Sequence, residues 1–458
     1  MKKTVLLLLF FQSILCTSQV FETYMLRDNG PSDRRINMVI MGDGYAASDQ
    51  NKFETDAASL INYLFTIPPF SNYENYFNVY AIKVISPESG VKHPGTATDV
   101  QEPVFPVSDP NNYMGTTFDF QNIHRCIYTP NTNITTAILA ANVPFFDSAF
   151  VVVNSPEYGG CAGQYAYFSA HSDADEILVH ELGHSFSGLA DEYWFAPTGE
   201  SPNKTQDNNP ATNRWKNWLG TNGVGIYPFP ENTSWYRPHQ SCIMRYLGQP
   251  FCAVCSETTI EKVHSLQGPV DTYSPTETTI VLETGSVDFE VDLILPNPNT
   301  LDFEWRLNNV VIDDENQLVT IDVDDLNPGA NTLNFTVTDN TAKVRTDNHE
   351  TVHFDVVSWQ INNGPLGIED ISVFESSFVI YPNPSANAVF VKSDSKEVDT
   401  LIFELVDLTG KIIKTEKIRR DVYSIYAFDM GNIASQTYIL NLYNESSGLI
   451  YSHKIVKE

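Results

Sequence analysis

The chain has 458 residues, too many for one ordinary core, and is expected to divide into about three domains. With 42% hydrophobic, 12% aromatic and 18% charged residues it cannot be disordered outside linkers. Acidic residues outnumber basic ones 57 to 27, and a formal charge of −30 repels phosphate backbones and anionic lipid, which excludes nucleic acid as a partner and fits extracellular solubility.

The chain opens on Met1-Lys2-Lys3 and an apolar run from Val5 to Leu15, the layout of a secretory signal peptide, with Thr17 and Ser18 placing cleavage near Gln19. Cys16 raises a lipoprotein alternative, which bulky Leu15 disfavours. The run is too short to span a bilayer, and no other stretch is long and apolar enough for a transmembrane segment. Five cysteines remain beyond the leader, Cys126, Cys161, Cys242, Cys252 and Cys255, so at least one is unpaired in an oxidising compartment. Cys252 and Cys255, close to Cys242, are expected to take part in a local disulfide, because no second Cys-x-x-Cys completes a zinc ribbon.

The apolar run Ile36 to Met41 predicts a buried strand ending in the turn Gly42-Asp43-Gly44. A helix follows, with Ser48 as its candidate N-cap and Phe53, Ala57, Leu60, Ile61 and Leu64 on one face until Pro68-Pro69. Phe77 to Ile85 and Phe150 to Val153 predict further buried strands, hence a sheet flanked by helices. Asp43, between two glycines, reads as a structural turn residue with a catalytic or supporting role as the alternative. After the flexible Gly159 to Gly163, the aromatic-rich Gln164 to Ala170 predicts a strand; Ser172 with Asp175 then signals a capping box, and Gly188 a helix end. Trp194 to about Gln240 reads as long loops lining a site.

On that helix, His180-Glu181-Leu182-Gly183-His184 puts two imidazoles one turn apart on one face, able to share one zinc ion, with Glu181 beside it as general base. The glycine and third ligand of the metzincin pattern HExxHxxGxxH would fall at Ser187 and Ala190; here Gly188 and Asp191 stand one residue later. A longer turn ending in a short carboxylate makes Asp191 the expected third ligand and Glu192 the alternative, since adjacent residues leave a turn in different directions. About sixty residues on, Ser241-Cys242-Ile243-Met244-Arg245-Tyr246 looks like a Met-turn, with Met244 beneath the metal and Tyr246 near the substrate carbonyl. Gln164, Tyr165 and Ala166 are candidates for an edge strand to which an extended peptide adds, with an ordinary core strand as the alternative. His93, His171 and His239 are read as bystanders.

With these residues in hand, the stretch from about Met38 to Cys255 resembles the IgA-peptidase family of zinc metallopeptidases, metallopeptidase family sixty-four. The match lies in Met41 to Tyr45, Gly163 to Ala166, His180 to Phe186, Gly188 to Tyr193, Cys242 to Arg245 and Pro250 to Cys252. The resemblance implies a zinc peptidase of metzincin-like fold acting on protein or peptide, without specifying which.

Beyond about Val270, short alternating segments at Ser286 to Leu293, Leu301 to Leu307, Leu333 to Thr338 and Val352 to Trp359 predict a β-sandwich, with Trp305 suiting an immunoglobulin-like core. After the break Asn362-Asn363-Gly364-Pro365, the last segment resembles the C-terminal sorting domain of the type IX (Por) secretion system. That resemblance rests on Val379 to Ser385, Leu405 to Ile413, Thr437 to Leu440 and Lys454 to Val456, although Gln436 replaces a usual glycine. It implies the type IX secretion machinery as a partner and export across an outer membrane to the surface or medium.

The expected organisation is a signal peptide at 1–19, an α/β (α+β) metzincin-like peptidase domain at 20–268, an immunoglobulin-like sandwich at 269–365 and a sorting domain at 366–458. The expected function is a secreted zinc endopeptidase. Its rivals are a surface adhesion or glycan- or matrix-binding protein with a vestigial zinc site, and a hydrolase of non-peptide bonds.

Overall fold

The computed structural model describes residues 19–195, 199–347, 349, 353–363, 378–393, 400–419, 425–444 and 448–457. The signal-peptide run and the boundary expected at 365 lie outside them. The described residues form two compact units. The first comprises the chain up to Thr272 with Asp292–Asp302 and Asp339–Asp347, and the second takes the remainder.

The first unit is built on a six-stranded sheet: β1 (Thr23–Arg27), β2 (Ile36–Asp43), β3 (Phe77–Ile82), β4 (Ser148–Val153), β5 (Gly160–Ala162) and β6 (Ala166–Ser169), in the order β1-β3-β2-β4-β6-β5. The four inner strands run parallel, and β1 and β5 close the two edges antiparallel. Parallel strands covered on both faces are apolar along their whole length, and every residue of β2 is buried. Its alternate side chains serve two cores. Met38 and Ile40 pack with α1 (Gln50–Leu64) and α3 (Ala174–Ser185), while Val39 and Met41 pack with Ile138 and Leu139 of α2 (Thr132–Asn142). The α1 face is the predicted one, since Phe53, Ala57, Leu60, Ile61 and Leu64 are all buried.

Several local expectations are corrected. Ser48 lies in a short 3-10 turn, Ala47–Asp49, and Asp49 rather than Ser48 precedes α1. The third strand stops at Ile82. No side chain caps α3, which follows Asp173, so the capping box from Ser172 to Asp175 is not formed. The strand expected from Gln164 is β6, and it is not an edge: it lies between β4 and β5, because the chain reverses at 163–165 and Gly160–Ala162 pairs along its outer side. Tyr165 and Ala166 are buried, the Tyr165 hydroxyl sits 2.9 Å from Thr136 Oγ1, and only Gln164 is exposed. Asp43 is fully buried. It accepts hydrogen bonds from Ser86 Oγ (3.1 Å), the Met114 amide (3.0 Å) and the Thr116 hydroxyl (2.6 Å), and so pins the long segment after β3 to the end of β2.

The second unit is all β. A five-stranded sheet contains Thr279–Val281, Phe354–Asn363, Gly329–Asp339, Leu301–Leu307 and Val310–Asp313 in that order. Phe289, on the separate three-stranded sheet of Leu318–Asp322, Ser286–Leu293 and Val270–Ser274, meets Trp359 edge-on at 5.2 Å, and Trp305 stacks on Trp359 at 5.7 Å. Two sheets closed over an aromatic core are a sandwich. A second such array joins Phe378–Tyr381, Ala388–Ser393 and Ile425–Asp429 to a four-stranded sheet over a core that includes Val389, Phe403, Leu405, Phe428 and Leu440.

Candidate metal centre

The helix α3 holds His180 and His184 one turn apart, and their Nε2 atoms lie 3.2 Å from each other. Asp191 Oδ1 lies 3.3 Å from His180 Nε2 and 3.2 Å from His184 Nε2. Nitrogen and oxygen ligands at about 2.0–2.1 Å from a tetrahedral zinc stand about 3.3–3.4 Å apart, so the three atoms have the spacing of one face of such a site. The outer ring nitrogens are committed elsewhere, with His180 Nδ1 2.9 Å from the Ile243 carbonyl and His184 Nδ1 2.7 Å from that of Leu189. A carbonyl accepts only, so each Nδ1 carries a proton and each Nε2 is the nitrogen turned to the centre. Asp191 Oδ1, buried, finds no hydrogen-bond partner. A cation fits this donor set.

The turn after α3 delivers Asp191. Gly188, at φ +69°, donates to the His184 carbonyl (3.0 Å) and Leu189 to that of Gly183 (2.9 Å), folding the chain back over the helix end. Asn203 then grips Ala190 through both its amide and its carbonyl at 2.8 Å. Asp191 therefore faces the histidines, while its neighbour Glu192 points away into a cluster of Cys242, Cys252 and Cys255 and is fully buried. Of the two carboxylates weighed from the sequence, the structure brings only Asp191 to the histidine pair.

Met244 is fully buried beneath the helix, and a Cβ on Gly183 would collide with its Sδ; the glycine is what admits the methionine here. The amides of Arg245 and Tyr246 both donate to the Cys242 carbonyl at 2.9 Å, closing the predicted turn. Tyr246 is 52% exposed and borders the same cavity as the histidines.

Electrostatics divide the carboxyls of the site. Burial pushes the Glu181 carboxyl above the usual glutamate range. Burial also opposes ionisation of Asp191, yet the two histidines beside it hold it well below the ordinary value. In return, and against its own burial, His184 is pushed up to about 9 by Asp191.

A cavity of about 900 Å³ opens over these groups, walled by β5 on one side and by Phe195, Ser201 and Lys204 of the loop region on the other. Two wall residues, Arg125 and Tyr158, carried no recognisable signal in the sequence. Arg125 donates to the Tyr193 hydroxyl (3.0 Å) and stacks over its ring, and Tyr158 stands nearby. A disulfide between Cys126 and Cys161 fastens that wall to β5. Cys242, Cys252 and Cys255 are free thiols, so the local disulfide expected among them does not exist. His93 belongs to a separate group with Glu102, Asp119 and His124, while His171 is paired with Asp173 and His239 with Ser241.

The first unit thus combines a mixed α/β sheet, a His-Glu-x-x-His helix, a carboxylate turned towards it and a cleft beside a sheet edge. Residues 24–232 match the family model described as IgA Peptidase M64, and residues 379–458 match that of the Secretion system C-terminal sorting domain. The chain thus joins a segment similar to a peptidase family to a tail similar to a secretion sorting domain. No curated protein matches it.

Among solved structures, the fibronectin(III)-like modules of Clostridium thermocellum CbhA are similar at 10% identity and TM-score 0.14, over 41% of this chain and 93% of theirs. Bacteroides uniformis beta-glucuronidase 3 is similar at 10% identity and TM-score 0.16, over 49% of this chain and 28% of its own. A two-domain fibronectin type-III segment of chicken tenascin shares 10% identity at TM-score 0.14, over 41% and 99%. Likeness at these scores carries no argument. Among the described residues no helix is long and apolar enough to cross a membrane.

Proposed function

We propose that this chain is a secreted zinc-dependent endopeptidase of metzincin-like design, in which His180, His184 and Asp191 hold one zinc ion and Glu181 is the general base. The convergence of two Nε2 atoms and Asp191 Oδ1 at 3.2–3.3 Å, with both Nδ1 atoms already bound to carbonyls, carries this reading. A zinc ion held by His180, His184 and Asp191 would supply Lewis acidity, lowering the pKa of a water towards about 7 and polarising the scissile carbonyl. Glu181, its carboxyl raised by burial, is placed to take a proton from an attacking water and to return it to the leaving amine. Tyr246, exposed on the cavity rim, donates to the developing oxyanion. Since β5 terminates the sheet and borders the cavity, an extended peptide adds to Gly160–Ala162, not to the segment Gln164, Tyr165 and Ala166. A signal peptide at 1–19 and type IX export across an outer membrane complete the proposal.

The zinc-loaded protein is expected to cleave a peptide library, with products read by mass spectrometry, and a chelator to stop it. Asp191→Ala is expected to lose the metal of this site and the cleavage with it, and full zinc retention in that variant would refute the assigned ligand set. Gly160 offers a finer test, because a Cβ there would meet Ile177 Cγ2 at 2.6 Å and Glu181 Oε1 at 2.9 Å. Gly160→Ala is therefore expected to shift Glu181 and lower kcat by roughly 10–100-fold with zinc still bound. An unchanged kcat would show that the contact yields without moving the base.

A further inference from the structure

We propose that Glu192, Cys242, Cys252 and Cys255 hold a second zinc ion, a structural one, directly behind the first site. Their four ligand atoms lie within 4.8 Å of one another. Cys242 Sγ is 3.7 Å from Cys255 Sγ, and Glu192 Oε1 is 3.3 Å from Cys255 Sγ and 3.8 Å from Cys252 Sγ. Around a tetrahedral zinc with sulfur at about 2.3 Å and oxygen at about 2.0–2.2 Å, sulfur–sulfur edges are about 3.8 Å and sulfur–oxygen edges about 3.5 Å. The cluster has those dimensions before any ion enters.

The other fates of these groups fit less well. A separation of 3.7 Å is far beyond the roughly 2.05 Å of a disulfide, and three thiols leave one over whichever two pair. Inert core thiols would account for the cysteines but not for Glu192. That carboxylate is 0% exposed, and its Oε2 finds no hydrogen-bond partner. A carboxylate so placed is costly unless a cation compensates it. Zinc removes that cost and recruits the thiolates.

Two features of the chain suit the role. Cys252 and Cys255 bracket the first turn of α4 (Ala253–Leu266), the two-residue spacing that lets both sulfurs grip one ion. The Cys252 amide donates to Cys242 Sγ at 3.3 Å, the outer hydrogen bond that supports a ligating sulfur. All four ligands come from the protein and at most 6% of any of them is exposed, so no position remains for a reacting water.

The position gives the ion a task. Glu192 follows Asp191, and its amide donates to the Met244 carbonyl at 2.8 Å; Cys242 begins the turn whose Ile243 carbonyl orients His180. The second ion ties the loop bearing Asp191 to the turn beneath the histidines.

Metal analysis of the full-length protein tests this independently of proteolysis. Two zinc ions per chain are expected in the wild type, and one in the double variant His180→Ala/His184→Ala. Zinc X-ray absorption of that variant should show sulfur neighbours at about 2.3 Å, and its cobalt form a thiolate-to-cobalt charge-transfer band. Cys252→Ser/Cys255→Ser should lose the sulfur signal. The wild-type spectrum decides the matter even if that last variant does not fold. Only nitrogen and oxygen neighbours around zinc, a disulfide among the three cysteines, or three thiols freely alkylated in the folded protein would overturn the proposal.

Discussion

Glu181→Gln is expected to lower kcat/KM by about 10²–10⁴-fold while zinc stays bound and the fold stays intact, because the amide keeps the shape of the side chain and cannot accept a proton. Glu181 is 6% exposed and lies against β5 and Ile177, so it has little freedom to let a water-borne base replace it. The variant should bind substrate normally, which places the loss in kcat. Activity within tenfold of wild type would move the general base elsewhere in the cavity. A wild type that retains zinc yet cleaves no peptide would leave the adhesion and non-peptide readings standing.

Asp339→Ala is expected to destabilise the first unit by about 3–5 kcal/mol, lowering its melting temperature by on the order of 10 °C. Asp339 is fully buried and accepts from Tyr73 (2.6 Å), His264 Nε2 (2.8 Å), Thr300 (2.6 Å) and the Thr341 amide (3.0 Å). Removing the carboxylate takes the shared acceptor from four donors, of which the Tyr73 hydroxyl and the Thr341 amide are buried. Burial alone would raise its pKa, but His264, Thr300 and Tyr73 hold it down to about 2 from 3.8. A depressed carboxyl stabilises the fold fully above its unfolded value and loses that effect as pH falls through the folded one. Wild type should therefore lose on the order of 2 kcal/mol between about pH 4 and pH 2 that Asp339→Asn does not lose. Urea unfolding at both pH values measures it, and a cost under about 1 kcal/mol in the alanine variant would show that the donors find other partners.

Features that depend on neighbours in the chain were legible early. The face of α1, the apolar run of β2, the His180–His184 spacing and the turn around Met244 each follow from local periodicity or from a short motif. The sorting tail was legible for the same reason, as a series of strand and turn phrases in fixed order. Gln164 to Ala170 shows the limit: its composition announces a strand correctly, yet nothing in it reveals that Gly160–Ala162 will pair along its outer side. Arg125, Tyr158 and Tyr193 meet in one cavity wall from three separate stretches, which no local pattern announces.

By itself the sequence determined the helix that carries His180, Glu181 and His184, the all-β character of the C-terminal part and the likeness of its tail to a sorting domain. Only the tertiary structure turned Asp191 and not Glu192 towards the histidine pair, paired Cys126 with Cys161, gathered the other three thiols around Glu192 and made β5 the edge of the sheet. The reason is the range of the interactions. Helical and strand periodicity act over a few residues, whereas the direction in which a turn releases two adjacent carboxylates is set by Asn203, Met244 and Cys255, which reach the site from elsewhere in the chain.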